Sequence, residues 1–358
     1  MNNLKYANKK RYAILLAIVA AALYAVSTPI SKLLLVEIAP IFMAALLYLG
    51  AGIGMLIVSL VLKKNTQNNT KESSISKKDL KYVVGMIILD ILAPFLLMLG
   101  LTLTNASNVS LLNNVEIIAT TLIAMIFFKE AIGKRMWIAI IFILVAGIIL
   151  SFDDISSFSL SLGSIFVIGA TLCWGLENNC TRMLSLNNPL HIVVIKGLGS
   201  GIGAFIITVL LGELGGSIMY IMFTLLLGFV AYGMSIFLYI TAQRELGAAR
   251  TSMYYAIAPF IGVLISIIIL NENLTIAFVV ALAIMIIGTY FAVTEKHKHT
   301  HLHHELTHTH RHTHDDLHHN HKHIDNHMED HNHEHSHKEQ EHKHEHFPDM
   351  HHNHDHDK

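Results

Sequence analysis

Ten apolar stretches, each about as long as a bilayer is thick, occupy most of the first 294 residues. A helix needs about 20 apolar residues to cross the hydrocarbon core. Inside that core every backbone N–H and C=O must be bonded within the protein, which limits spanning segments to helices and closed barrels. The predicted fold is therefore an all-α polytopic membrane protein, with the lipid bilayer as its partner. The ten stretches are 12–35, 40–62, 82–101, 106–127, 135–151, 162–184, 190–211, 217–242, 247–270 and 274–293.

Composition agrees, because the chain is 53% hydrophobic and only 14% charged. The first stretch follows Lys9-Lys10-Arg11 as a signal peptide would, but it is too long for a cleaved apolar segment, so we interpret it as the first span. Cys173 and Cys180 both lie in the sixth stretch, which indicates no disulfide framework.

The positions of Lys and Arg predict the orientation. With the N-terminus inside, the cytoplasmic segments of the body hold 16 of these residues, and the opposite side holds only Lys32. Cytoplasmic loops of membrane proteins carry such an excess. Both termini are therefore predicted to be cytoplasmic, in the plasma membrane.

The body also contains an internal repeat. Leu23-Tyr24-Ala25 matches Cys173-Trp174-Gly175 at an offset of 150, and Phe128-Lys129-Glu130 matches Leu270-Asn271-Glu272 at an offset of 142. Each repeat has five spans, an odd number, so the two must have opposite orientations. Inverted repeats are typical of secondary transporters, whose substrate site lies near the midplane between the repeats. The predicted domains are a first half, 1–151, a second half, 152–294, and a C-terminal tail, 295–358.

Several segments carry a resemblance to a known family. Leu246-Gly247-Ala248-Ala249-Arg250-Thr251, Ala258-Pro259-Phe260 and Asn271-Glu272 resemble the drug/metabolite transporter superfamily, and most closely its EamA-type domain. The resemblance covers roughly residues 12–293. It implies ten spans, a central solute pathway, and exchange or proton-coupled transport instead of ATP hydrolysis. The chain departs from the family in span four, where Asn113-Asn114-Val115-Glu116 stands near the position at which members usually have a proline.

Charged residues inside spans are costly and usually face a cavity or a partner. Three acids, Asp90, Glu116 and Glu177, stand against one base, Lys196. This excess of negative charge favours a cationic substrate or a proton relay. The predicted pathway residues are Asp90, Asn113, Asn114, Glu116, Glu177, Asn178, Asn179, Lys196 and Tyr255.

Structural interpretations of these residues stay open. The asparagines could join helices by hydrogen bonds, the cysteines could pack as small apolar groups, and Lys196 could pair with one acid. Two glycine sets, Gly50-x3-Gly54 and Gly199-x3-Gly203, indicate close helix packing. Three prolines are predicted to interrupt helices: Pro29, Pro94 and Pro259.

The tail is rich in histidine: 25 of the 26 histidines lie in the last 62 residues. Imidazole suits nickel, cobalt, zinc and copper, and the near absence of apolar residues predicts disorder. Two His-Glu-x-x-His matches in so histidine-rich a tract arise by chance. The predicted metal ligands are His297, His299, His301, His303, His308, His310, His312, His314, His331, His333, His335 and His337.

Three functions remain in competition. The first is a secondary transporter of a small solute by alternating access. The second is a nickel, cobalt or zinc permease with the tail as metal buffer or sensor. The third is a membrane metal sensor that transports nothing, against which the inverted repeat argues. The sequence predicts no enzyme, no required cofactor and no nucleic-acid partner, and it leaves the oligomeric state open.

The predicted topology can be tested with reporter fusions. Because five spans precede it, a fusion after Ser151 should report an external position, whereas fusions at Lys64 and Lys296 should report internal ones. An internal position after Ser151 would contradict the inverted repeat.

Overall fold

The chain folds as a bundle of helices. The computed structural model describes residues 2–65, 79–128, 132–154, 159–184, 188–246, 251, 254–294, 297–303, 306–312, 331–337 and 340–346. The helices are α1 (Asn2–Ala25), α2 (Ser27–Leu34), α3 (Pro40–Asn65), α4 (Leu80–Leu103), α5 (Ala106–Leu112), α6 (Val115–Phe128), α7 (Lys134–Leu150), α8 (Leu162–Met183), α9 (Pro189–Leu211), α10 (Ile218–Leu227), α11 (Ser235–Leu246), α12 (Ala258–Leu270) and α13 (Ile276–Val293), with a π-helix over Gly228–Met234.

These helices confirm the predicted all-α membrane class for the body. Each of the ten predicted spans contains at least one of them. Within the described residues, seven segments are long and apolar enough to cross a membrane, so the count of ten stays a prediction. The seven are Arg11–Leu34, Pro40–Val61, Leu80–Leu103, Ala106–Phe127, Leu190–Leu211, Ile218–Ala242 and Ile276–Val293.

Four predicted spans change helix type or break within their described residues. The first divides at Val26, the fourth at Asn113 and Asn114, and the ninth at Ala256 and Ile257, whereas the eighth passes through the π-helix. Such irregular backbone is tolerated at membrane depth where it is buried in protein or lines a cavity. These four sites are therefore candidates for functional positions.

The prolines behave differently from one another. Pro259 lies in the first turn of α12, where a missing N–H costs nothing. Pro29 follows the break at Val26, within α2. Pro94, by contrast, lies inside the continuous helix α4, so the predicted interruption at this residue is wrong. Neighbouring helices can compensate the freed carbonyl of such a proline.

Helices of the two predicted halves pack against each other. Helix α3 lies along α9, and α4 lies along α8, so helices of the first half pair with helices of the second. Large apolar side chains such as Phe127, Leu210 and Ile276 are exposed on the outside of the bundle. Such an apolar surface is stable in contact with the lipid tails of a bilayer but unfavourable in contact with water.

Glycines set the closest helix approaches. A Cβ atom added to Gly50 would lie 2.0 Å from the carbonyl oxygen of Leu225, and one added to Gly228 would lie 2.0 Å from the carbonyl oxygen of Leu47. An added Cβ would also meet a neighbouring helix at Gly54, Gly199 and Gly203. The packing interpretation of the two glycine sets is confirmed.

Short antiparallel strands occur outside the helices. Between α7 and α8, β1 (Phe152–Asp154) pairs with β2 (Ser159–Leu160). In the tail, β3 (His297–His303) pairs with β6 (Gln340–His346), and β4 (Leu306–His312) pairs with β5 (His331–His337). Over these four tail segments the structure differs from the disorder that composition predicts. Histidine alternates with other residues there, and a strand has the same two-residue period.

The glycine contacts give a prediction about stability. Gly50→Ala should destabilise the protein by about 1–3 kcal/mol, because the added methyl group collides with the backbone of α10. Gly169→Ala is the matched control, since its Cβ would meet Leu96 at an ordinary 3.4 Å. Thermal unfolding of the purified protein measures both, and equal midpoints would contradict the proposed close approach.

Candidate functional site

The charged residues predicted from sequence meet inside the bundle. The Nζ atom of Lys196, on α9, lies 3.2 Å from Oδ2 of Asp90 on α4 and 2.9 Å from Oε2 of Glu177 on α8. The two carboxylates are almost completely buried, and 14% of the Lys196 side chain is exposed. We call these three residues the ion-pair cluster. Lys196 pairs with both acids, whereas the sequence suggested a pair with one of them.

Hydroxyl groups complete the ion-pair cluster. The Tyr48 hydroxyl donates to Oδ1 of Asp90 at 2.8 Å, and the Thr181 hydroxyl donates to Oε1 of Glu177. Burying a charge without partners is very costly. The cluster therefore survives in the apolar bundle because one ammonium and two hydroxyls serve two carboxylates, leaving a formal charge of −1.

Glu116 belongs to a separate polar group. Its Oε1 accepts a hydrogen bond from Nδ2 of Asn178 at 2.7 Å, and the same Nδ2 lies 3.2 Å from the hydroxyl of Thr120. Asn179 donates to the backbone oxygens of Thr120 and Gly175. Asn178 and Asn179 thus fasten α8 to α6, as the structural interpretation of the asparagines predicted. Asn178 also contacts the carboxylate directly.

Two polar side chains lie at the break between α5 and α6, in the interior of the bundle. Asn113 and Asn114 are buried there, and the Oδ1 atom of each has no hydrogen-bond partner among the described residues. Asn113 also borders a small cavity next to the hydroxyl-bearing residue Ser110. The cavity is lined by Tyr24, Ala25, Thr28, Ser110, Asn113, Ala258, Pro259 and Gly262.

Tyrosine rings connect the ion-pair cluster to this cavity. Tyr48 lies 5.5 Å from Tyr232 between ring centroids, Tyr232 lies 6.0 Å from Tyr24, and Tyr24 lies 5.9 Å from Tyr255. Tyr239 follows at 4.9 Å from Tyr255. Tyr255 is thereby placed beside the cavity-lining Tyr24, whereas the sequence did not single out the other four tyrosines. Their helices come together only in the folded protein, and a tyrosine within a span is otherwise unremarkable.

Lys32 and Glu272 bond to the ends of other helices. Lys32 donates to the backbone oxygens of Leu101 and Thr104, the latter at 2.9 Å. Glu272 accepts from the backbone N–H groups of Ala106 and Ser107 at 2.6 and 2.9 Å. Lys32 therefore caps the end of α4, and Glu272 caps the start of α5, which holds the chain between them.

The structure divides the predicted pathway residues into three groups. Asp90, Glu177 and Lys196 form the ion-pair cluster, and Glu116 bonds Asn178 beside Asn179 at the contact of α8 with α6. Of the remaining residues, Asn113 borders the cavity, Asn114 follows it in the chain, and Tyr255 packs against the cavity-lining Tyr24. The predicted metal ligands of the tail lie in β3, β4 and β5, except His314, which is outside the described residues. No group of three or more His, Cys, Asp or Glu suited to a metal ion is found in the described part of the chain.

Comparisons with known proteins agree with this architecture. The sequence profile of the EamA-like transporter family matches residues 11–152 and 161–294. An uncharacterized transporter of Methanothermobacter thermautotrophicus is 24% identical over 288 residues, which cover 76% of this chain and 83% of that protein. The uncharacterized transporter YyaM of Bacillus subtilis is 21% identical over 238 residues, covering 62% of this chain and 75% of that protein.

A solved crystal structure shares the fold. Its TM-score is 0.57 at 13% sequence identity, and the match covers 78% of this chain and 95% of the other. The molecule is a multi-pass membrane transporter of the drug/metabolite type and not an enzyme. The chain belongs to the EamA-like transporter family.

The ion-pair cluster predicts a charge-balance effect on stability. Lys196→Met leaves two buried carboxylates without their cation, which should cost about 3–5 kcal/mol. The triple variant Asp90→Asn, Glu177→Gln, Lys196→Met removes every charge of the cluster and should recover most of that loss. Unfolding midpoints in detergent compare the two, and a Lys196→Met protein as stable as the original would contradict the ion pairing.

Proposed function

We propose that the chain is a secondary transporter that moves a small solute by alternating access, with its pathway between the two halves. One observation carries the proposal: polar contacts join the halves in the interior. Lys196 of the second half pairs with Asp90 of the first, and Asn178 of the second half bonds Glu116 of the first. If the halves move relative to each other, these contacts change at the same time. Substrate binding and conformational change would then be coupled through them.

The charge of these groups favours a cation over an anion. Asp90, Glu116 and Glu177 carry three negative charges, and Lys196 supplies one positive charge at the site. An anion entering this region would meet uncompensated carboxylate, whereas a cation would be stabilised. The proposal does not extend to metal as cargo, because the described residues contain no group of three or more His, Cys, Asp or Glu suited to a metal ion.

Our topology proposal keeps ten spans in two inverted halves, with both termini cytoplasmic in the plasma membrane. In that arrangement Lys32 and Glu272 lie at the external end of the pathway, where they hold helix ends together. Removing those contacts would be part of opening the external side.

The pathway proposal is tested by neutralising the acids. Glu116→Gln or Glu177→Gln should each abolish transport while leaving the protein inserted, because glutamine keeps the shape and removes the charge. Asp90→Asn should cause a milder loss. Growth of expressing cells across nickel, cobalt and zinc salts and a panel of toxic metabolites first identifies a transported solute, and flux of that solute then compares the variants.

Glu213→Gln is the matched control for these substitutions. Glu213 is exposed in the connection between α9 and α10, so its neutralisation should leave flux unchanged. Full activity of the Glu116→Gln, Glu177→Gln double variant would show that neither carboxylate belongs to the pathway.

For the tail, we propose binding of nickel, cobalt or zinc ions in a regulatory or buffering role. Metal competes with protons for imidazole, whose ordinary pKa is about 6.5. The full chain should therefore bind several more nickel ions than a chain ending at Glu295 at about pH 7.5, and the difference should disappear below about pH 6. Equilibrium dialysis measures the number of nickel ions bound by each chain. Equal numbers for the two chains would show that the tail has no metal affinity. Solute flux of the shortened chain should stay nearly unchanged.

A further inference from the structure

Three helix breaks meet at the small cavity in the interior. Its lining includes Tyr24 and Ala25 from the last turn of α1, Ser110 from the last turn of α5, and Ala258 from the first turn of α12. Asn113, at the break that follows α5, lines the cavity too. A helix end leaves carbonyl groups without their regular N–H partners, so backbone oxygens of separate spans become available around one space.

The carbonyl oxygen of Ala25 lacks its regular helical bond. The N–H group that would bond it is that of residue 29, but Pro29 has no N–H. A Cβ atom added to Gly262 would lie 3.3 Å from this oxygen and 2.9 Å from Oγ of Ser110. The two oxygens therefore lie within 3.3 Å of one point beside Gly262, and that point is empty because glycine has no side chain.

Two side-chain oxygens at the cavity also lack partners. The Oγ atom of Ser110 and the Oδ1 atom of Asn113 are buried, and neither has a hydrogen-bond partner among the described residues. Ser110 is 2% exposed and Asn113 is 8% exposed. Buried polar atoms are normally bonded, so two free oxygens at one cavity indicate a ligand that oxygen attracts.

The chemistry of the lining favours a small monovalent cation. None of the eight described residues that line the cavity carries a charge, whereas divalent cations are usually held by carboxylates. The C-terminal ends of α1 and α5 carry partial negative charge, and Pro259 removes one N–H from the first turn of α12. Free carbonyls and helix C-terminal ends bind sodium in transporters with broken helices. The cavity has room for about one water-sized particle, which suits a sodium ion without its hydration shell.

We propose that the cavity beside Gly262 is a sodium-binding site, with the Ser110 hydroxyl, the Asn113 amide oxygen and the Ala25 carbonyl as ligands. Helices α1 and α5 belong to the first half and α12 to the second, so a bound ion joins the halves. It stabilises the arrangement in which the three breaks lie together. Its role as the ion coupled to solute movement rests on the proposed transport function, whereas the site itself does not.

The test measures binding of radioactive sodium ion to the full-length protein, purified in detergent. Unlabelled sodium should compete for saturable binding, and potassium and choline, which are larger, should compete about 10-fold more weakly or less. The unfolding midpoint should be higher in sodium chloride than in choline chloride at equal ionic strength, because an ion that binds only the folded state stabilises it. A cavity that holds only water would give neither sodium binding nor a midpoint difference, and that result would overturn the inference.

Two variants test the location of the site. Ser110→Ala removes one ligand without adding volume and should weaken sodium binding about 10-fold. Its control is Ser164→Ala, which removes a buried hydroxyl bonded to Leu150 and should leave sodium binding unchanged. Gly262→Ala places a methyl group at the empty point and should abolish binding, whereas Gly169→Ala should not. Equal binding by the Ser110→Ala and unaltered proteins would overturn this location, whether or not Gly262→Ala folds.

Binding and transport can fail separately. In proteoliposomes, an imposed sodium gradient should change the flux of the solute that the growth screen identifies. Solute flux without sodium binding would leave the transporter proposal intact and overturn the sodium site. Sodium binding without flux of any solute would support the site and overturn the transporter proposal. Flux that ignores the gradient in a sodium-binding protein would overturn the coupling role.

Discussion

The interior of this protein depends on one constraint, the high free-energy cost of burying charge in an apolar bundle. Asp90, Glu177 and Lys196 come from three different helices, and none of them could remain buried without the others. Their mutual compensation requires α4, α8 and α9 to meet at one level of the bundle. It also joins the two halves, because α4 belongs to the first and the other two helices belong to the second. The ion-pair cluster is therefore both a structural connection and the most sensitive point of the interior.

Close helix contact also shapes the surroundings of the ion-pair cluster. Gly50 and Gly228 allow α3 to approach α10 and the π-helix until backbone touches backbone. Helix α3 carries Tyr48 to Asp90, and the π-helix carries Tyr232 to Tyr48. A π-helix interrupts the regular bonding of a helix and often occurs at functional sites. In this protein it supplies the middle ring of the tyrosine series that leads from the ion-pair cluster to the cavity.

The three acids of the interior have different partners. Asp90 and Glu177 share the ammonium group of Lys196, whereas Glu116 accepts a hydrogen bond from the neutral amide of Asn178. The acids therefore lie in two different electrostatic environments of one bundle.

The sequence alone determined the class of the protein, because long apolar stretches can satisfy their backbone in a bilayer only as helices or barrels. It also identified Asp90, Glu116, Glu177 and Lys196, since charge within a span is costly enough to be conspicuous. Only the tertiary structure decided which acids Lys196 neutralises and which one bonds a neutral amide instead. Sequence periodicity places residues on one face of a helix but does not state which helix that face meets. The same limit applies to Tyr24, Tyr48 and Tyr232: the contacts that bring their rings together exist only between helices far apart in the chain.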